Sequence, residues 1–125
     1  MIKKRALKTK SFVRWMKKNE VQDQDLLNAI HEMVLGLVDA DLGCNIFKKR
    51  IGFSGSGKRS GGRIIIATQF MRHWFFMYGF AKNEKANISK TELLYLQEAA
   101  KRLLNLTDRD IDSAINANEL KEIKN

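Results

Sequence analysis

Ile46–Ile51 (IFKKRI), Arg63–Gln69 (RIIIATQ) and His73–Phe80 (HWFFMYGF) are short runs rich in β-branched and aromatic residues, and their spacing decides the fold. The first alternates as a half-buried strand, with Phe47, Lys49 and Ile51 on one face and Ile46, Lys48 and Arg50 on the other. Only Phe70-Met71-Arg72 separates the second from the third, so these two form an antiparallel hairpin, although no Asn-Gly turn pins its register. Strict alternation then puts Trp74, Phe76, Tyr78 and Phe80 on one face, with Lys82 joining them if the strand continues. Between the first and second runs, Gly52–Gly62 has the composition of a mobile loop.

Upstream, the period changes from two residues to between three and four. Lys10–Lys18 reads as a helix with Phe12, Val13 and Met16 on one side. From Asp25, the positions Leu26, Leu27, Ile30, Met33, Val34, Leu37 and Val38 recur at helical spacing, with Gly36 weakening the end. The pair is expected as a helical hairpin, preceded by a short edge strand over Ile2–Leu7. Downstream, Ser89-Lys-Thr-Glu92 is a capping-box signature opening a helix with Leu93, Leu94, Leu96, Ala99, Ala100, Leu103 and Leu104 as its stripe. Thr107-Asp-Arg-Asp110 caps a short last helix containing Ile111, Ala114 and Ile115. No proline, repeat or linker divides the chain, so residues 1–125 are expected to form a single α+β domain: strand, two helices, antiparallel sheet, helices.

Apolar residues make up 44% of the 125, enough for a modest core without disulfide or metal staples. No apolar run of about 18 residues occurs, so no membrane span is expected. The basic N-terminus lacks an apolar stretch of the kind that marks a secretory signal, and the chain reads as soluble and cytoplasmic. Cys44 is the one cysteine, and no Cys/His cluster offers a zinc site, so no metal or cofactor is expected.

The net charge of +9 is unevenly distributed. Residues 1–18 carry eight cations from Lys3 to Lys18 and no acid. Residues 19–45 carry Glu20, Asp23, Asp25, Glu32, Asp39 and Asp41 and no Lys or Arg, whereas residues 46–63 are again purely basic. Solubility alone accounts for a basic chain. Segregated blocks beside strands point instead to a polyanionic partner.

Gly52-x-x-x-x-Gly57-Lys58 has the spacing of a phosphate-binding loop, but Arg59 stands where a magnesium-binding hydroxyl is needed, and the next residues read as strand rather than helix. The loop reads better as a basic contact, with Lys58, Arg59 and Arg63 supplying charge and glycines allowing close approach to a sugar-phosphate chain. A plain solvated hairpin loop is the competing reading. If the polyanion is RNA, cleavage needs a base for the 2′-OH, an acid for the 5′-oxygen and cations for the charge building on phosphate. His31 and His73 lack partners at informative spacing and are assigned to structure. The remaining candidates are Lys49, Arg50, Arg63, Tyr78, Lys82 and Glu84, with Arg63 close to Lys49 and Arg50 on the adjacent strand. Tyr78 serves either as a stacking or proton-donating group or as a core aromatic with a bonded tip.

Lys48-Lys-Arg-Ile51, Gly55-Ser-Gly-Lys58, Gly61-Gly-Arg-Ile-Ile-Ile-Ala67 and the longer stretch from Phe76 to Ser89 together resemble a RelE-like branch of the RelE/ParE superfamily. Gly36-Leu-Val-Asp-Ala-Asp-Leu-Gly43 is similar to the same branch, and the likeness runs from the N-terminal strand to about residue 120. The resemblance implies the toxin of a type II toxin-antitoxin system. Such a toxin cleaves mRNA in the ribosomal A site without metal and is paired with a cognate antitoxin, here of helix-turn-helix type. It assigns catalysis to Lys49, Arg63, Tyr78 and Lys82, and RNA binding to Lys48, Arg50, Lys58, Arg59 and Asn83. One departure is Gly62, where relatives often carry a tyrosine, which raises the weight on Tyr78. The antitoxin is expected to cover the basic sheet or loop. Two other activities fit: a ParE-like inhibitor of DNA gyrase on the same fold, and a non-catalytic nucleic-acid-binding module.

Overall fold

The computed structural model describes residues 4–52 and 61–124. Its elements are β1 (Ala6–Thr9), α1 (Lys10–Asn19), α2 (Asp23–Val34), β2 (Ala40–Asp41), β3 (Ile46–Ile51), β4 (Gly62–Thr68), β5 (Trp74–Ala81), α3 (Lys90–Leu104), α4 (Asp108–Asn116) and β6 (Leu120–Glu122). Among the described residues the strands form a six-stranded sheet of order β2-β3-β4-β5-β1-β6. Only β1 and β5 pair in parallel among the described residues. The architecture is α+β, with α1 and α2 on one face of the sheet and α3 and α4 on the other. No helix among the described residues is long and apolar enough to cross a membrane.

Helices α1, α3 and α4 start where a side chain replaces a missing backbone partner. Thr9 accepts the Phe12 N–H at the start of α1, and Lys17 and Lys18 sit at its carbonyl end, where the helix dipole favours cations. Ser89 with Glu92 and Thr107 with Asp110 close full capping boxes on α3 and α4. α2 is shorter than its apolar pattern suggests: it stops at Val34, and Gly36 at φ 94° turns the chain away before Leu37 and Val38.

Strand β4 is buried over all seven residues because helices cover both its faces. Ile64 and Ile66 share a buried cluster with Phe12, Met16, Leu26, Ala29 and Met33 of α1 and α2, while Ile65 and Ala67 share another with Leu96, Ala100 and Ile111 of α3 and α4. A continuous apolar run is what such a strand requires.

Three expectations change. The N-terminal strand is Ala6–Thr9, and it is interior rather than an edge, because β6 pairs along its outer side. Helices α1 and α2 direct their apolar faces at the sheet as well as at each other's neighbourhood, so the hairpin is completed by β4 and β5. Most consequentially, Trp74, Phe76, Tyr78 and Phe80 do not share a face. Ile65 pairs with Tyr78 but the next residue, Ile66, pairs with Phe76, so Met77 is an extra residue in β5. This bulge leaves Trp74 and Phe76 under α1 and α2 and turns Tyr78 and Phe80 to the face shared by Ile65 and Arg63.

The bulge also brings Gly79 beneath Trp15 of α1, where a Cβ would lie 2.5 Å from the indole ring. Gly79→Ala is therefore expected to displace Trp15 and cost about 1–3 kcal/mol as overpacking. Urea unfolding followed by tryptophan emission checks this. A midpoint equal to that of the parent would mean the helix lifts freely.

Arg5 fastens the outer strands. Its guanidinium bonds Glu122 of β6 at 2.9 and 3.0 Å, Asp112 at 2.7 Å and Asp108 at 3.3 Å on α4, which holds its pKa above the ordinary arginine value. The Arg5 N–H donates to His73 Nδ1, leaving Nε2 to donate to Asp108 at 3.0 Å. His73 is buried and serves this joint, while His31 is exposed.

Candidate functional site

Register alone aligns the basic and aromatic side chains. Arg50 pairs with Arg63 and Arg63 with Phe80, giving one row across β3, β4 and β5. Lys48 pairs with Ile65 and Ile65 with Tyr78, giving the adjacent row. Paired residues project to the same face, so Lys48, Arg50, Arg63, Tyr78 and Phe80 belong together, with rows about 7 Å apart. Tyr78 and Phe80 rings lie 6.2 Å apart, centroid to centroid.

The turn after β5 rims this face. The Lys82 N–H donates to the Gly61 carbonyl at 3.2 Å, tying the turn to the start of β4. Lys82 and Asn83 are exposed, and Lys82 and Arg50 make no ion pair among the described residues. Lys48 reaches Asn87 at 3.4 Å.

Lys49 is not brought to this face. It points to the other side, where it is buried and its Nζ lies 2.6 Å from Glu32 of α2. Arg63 is also largely buried, and its Nε lies 2.9 Å from Asp39, just before β2. That pairing engages one edge of the guanidinium. Among the described residues, the terminal nitrogens make one further bond, 3.4 Å from one of them to the Gly62 carbonyl. Lys58 and Arg59 lie outside the described residues. After them the chain enters β4, a strand, so the Gly52–Lys58 spacing does not lead into a helix N-terminus.

Two residues missed in the sequence reading complete the site. The Tyr78 hydroxyl donates to Glu92 at 2.9 Å and accepts from Lys85 at 3.1 Å, while Lys85 also bonds Glu92 directly. Lys85 further lies 5.4 Å from the Tyr78 ring centroid. The Lys85 ammonium, the Ser89 backbone and the Tyr78 hydroxyl hold the Glu92 carboxyl down to about 2, and Glu92 in turn raises the pKa of Lys85. Both groups are charged near neutrality, so this trio holds the Tyr78 ring in place and is poorly suited to taking up a proton. The capping-box signature marked Glu92 as a helix start; its reach back to Tyr78 depends on the tertiary turn from Lys82 to Ile88.

This arrangement has a measurable acid limb. Glu92 is depressed in the folded state, so its contacts stabilise fully above the unfolded carboxyl value of 4.5 and are lost as pH falls toward about 2. The parent is expected to lose more stability than Glu92→Gln between pH 4.5 and 2, as read by urea midpoints at each pH. Parallel curves would show that the carboxylate contributes nothing.

A family model described as the RelE toxin of the RelE/RelB toxin-antitoxin system matches residues 4–123. The chain belongs to that family. The RelE match runs from β1 through β6, so it takes in every element that shapes the basic face. The protein is thus a toxin of a toxin-antitoxin system, and a cognate antitoxin is implied as its partner. No curated protein matches the chain at a significant level.

Proposed function

We propose that this RelE-family toxin arrests growth by cutting mRNA in the ribosomal A site, as a metal-independent endoribonuclease of the cytoplasm, and that a helix-turn-helix antitoxin restrains it. The observation that carries this reading is the clustering of Lys48, Arg50, Arg63, Tyr78 and Phe80 on one sheet face, rimmed by Lys82 and Asn83. Cations on adjacent strands suit a sugar-phosphate chain, and a ring held by its hydroxyl offers a stacking surface for a base.

In the reaction, the 2′-hydroxyl gives its proton to water and its oxygen bonds to the adjacent phosphorus to close a cyclic phosphodiester. The bond to the 5′-oxygen breaks, that oxygen leaves as a hydroxyl with a proton from water, and negative charge builds on the phosphoryl oxygens in between. Arg63 stabilises that charge with its terminal nitrogens, because Asp39 holds the guanidinium in one orientation. Lys82 supplies a mobile cation at the rim, and Lys48 and Arg50 bind the flanking phosphates. Lys49 acts from behind, fixing β3 to α2 through Glu32.

Primer extension on mRNA from cells briefly expressing the chain tests the proposal. New 5′ ends inside translated codons are expected. Growth arrest with intact mRNA would sink the nuclease reading and direct attention to gyrase supercoiling.

A further inference from the structure

Outside the basic face lies an open groove of about 560 Å³ between the start of α1, α3 and the end of α4. Its floor is apolar: Met77 of β5, Leu96, Ala99 and Leu103 of α3, and Ala114 and Leu120 beyond. Tyr95 stands at its wall with 68% of its surface exposed. Lys10, Arg14 and Arg102 line the groove, all are exposed, and none makes an ion pair among the described residues. Against these three cations the groove carries one acid, Glu119.

We infer that this groove seats an acidic, amphipathic helical segment of the antitoxin, with apolar side chains on the floor and carboxylates meeting Lys10, Arg14 and Arg102. The inference rests on the toxin-antitoxin pairing of the family and is independent of mRNA cleavage. Cations left unpaired around an apolar floor match a helix whose one face is apolar and whose flanks are acidic. RNA fits less well: Lys10, Arg14, Arg102 and the Tyr95 ring suit phosphates and a base, but the floor between them is aliphatic and a nucleic acid brings no apolar side chain to cover it. A second copy of this chain fits less well again, because a net charge of +9 opposes self-docking on a basic rim. The antitoxin would then hold the toxin beside its basic sheet face, one α3 turn from Glu92, instead of covering that face itself.

Calorimetric titration of the purified chain with the antitoxin encoded beside it provides the test. The variant Arg14→Glu/Tyr95→Ala/Arg102→Glu changes only exposed positions, so its melting temperature is expected to match the parent. Its Kd is expected to weaken by at least about tenfold, with a flatter salt dependence, and cells producing it should stay arrested when the antitoxin is present. Arg14→Glu/Arg102→Glu alone should move the Kd in the same direction by less, which guards against misfolding in the triple variant. A Kd within about twofold of the parent overturns the inference. So does unchanged antitoxin affinity accompanied by lost binding of a single-stranded oligoribonucleotide, which would give the groove to RNA. Both readings are binding constants, so neither depends on whether the toxin cuts mRNA.

Discussion

Phe76→Ala is expected to cost about 3–5 kcal/mol, the largest stability loss of any single change proposed for this chain. Phe76 is fully buried in the middle of β5, its ring 5.7 Å from that of Phe12, and it joins the cluster that unites α1, α2, β4 and β5. Truncation removes the transfer free energy of the ring and leaves a hole that the surroundings can fill only in part. Collapse is restricted on the strand side, where Ile66 is Phe76's register partner and β4 is pinned between β3 and β5. On the helix side, Phe12 is held by the Thr9 cap at the start of α1. A domain of this size has a total stability of about 5–15 kcal/mol, so the variant will be partly unfolded or nearly so at growth temperature. Chemical denaturation measures it directly. A loss below about 1 kcal/mol would mean that α1 settles into the space, and that the helix is less firmly seated than the Trp15–Gly79 contact implies.

What could be read from the chain alone divides along a physical line between local and distant interactions. β3 runs over Ile46–Ile51 as its alternation dictates, and α3 and α4 begin at Lys90 and Asp108 because their capping boxes are complete within four residues. Each of these signals is local. The bulge at Met77 is not, since HWFFMYGF alternates perfectly well in either register and only pairing with β4 reveals the extra residue. Strand β6 is three residues long and carries no periodicity of its own, so β1 looks like an edge until Leu120–Glu122 is seen beside it.

The site follows the same division. Charge blocks identified which residues are cationic, but not which are already engaged. The acidic stretch 19–45 looked like a separate surface, yet Asp23, Glu32 and Asp39 reach into the basic elements to pair Lys8, Lys49 and Arg63. These contacts span up to 24 residues and depend on how α2 lies across the sheet. Alternation within β3 did separate Lys49 from Lys48 and Arg50; what it could not supply was Glu32 on the far side.

Lys82→Ala is expected to abolish growth arrest while leaving the melting temperature unchanged, and Arg63→Ala to abolish it at some cost in stability. The contrast between the two separates chemistry from folding. Lys82 is exposed in the turn after β5 and makes no ion pair among the described residues, so its removal leaves no buried partner behind. Arg63 is buried, and its loss strands the Asp39 carboxylate, whose side chain is only 28% exposed. An unpaired, partly desolvated carboxylate costs on the order of 1–3 kcal/mol. Asp39→Asn in the Arg63→Ala background should therefore recover part of the stability and none of the arrest. Removing one preorganised donor to a developing oxyanion typically costs about 10²–10³ in rate. For a toxin whose effect is growth arrest, that is enough for colonies to form under induction. Colony counts, melting curves and primer extension on the same variants decide the matter. Lys82→Ala and Arg63→Ala proteins that are folded, soluble and still toxic would remove the basic sheet face from the mechanism. Arrest would then have to come from another surface of the molecule, with the helical faces the first to examine.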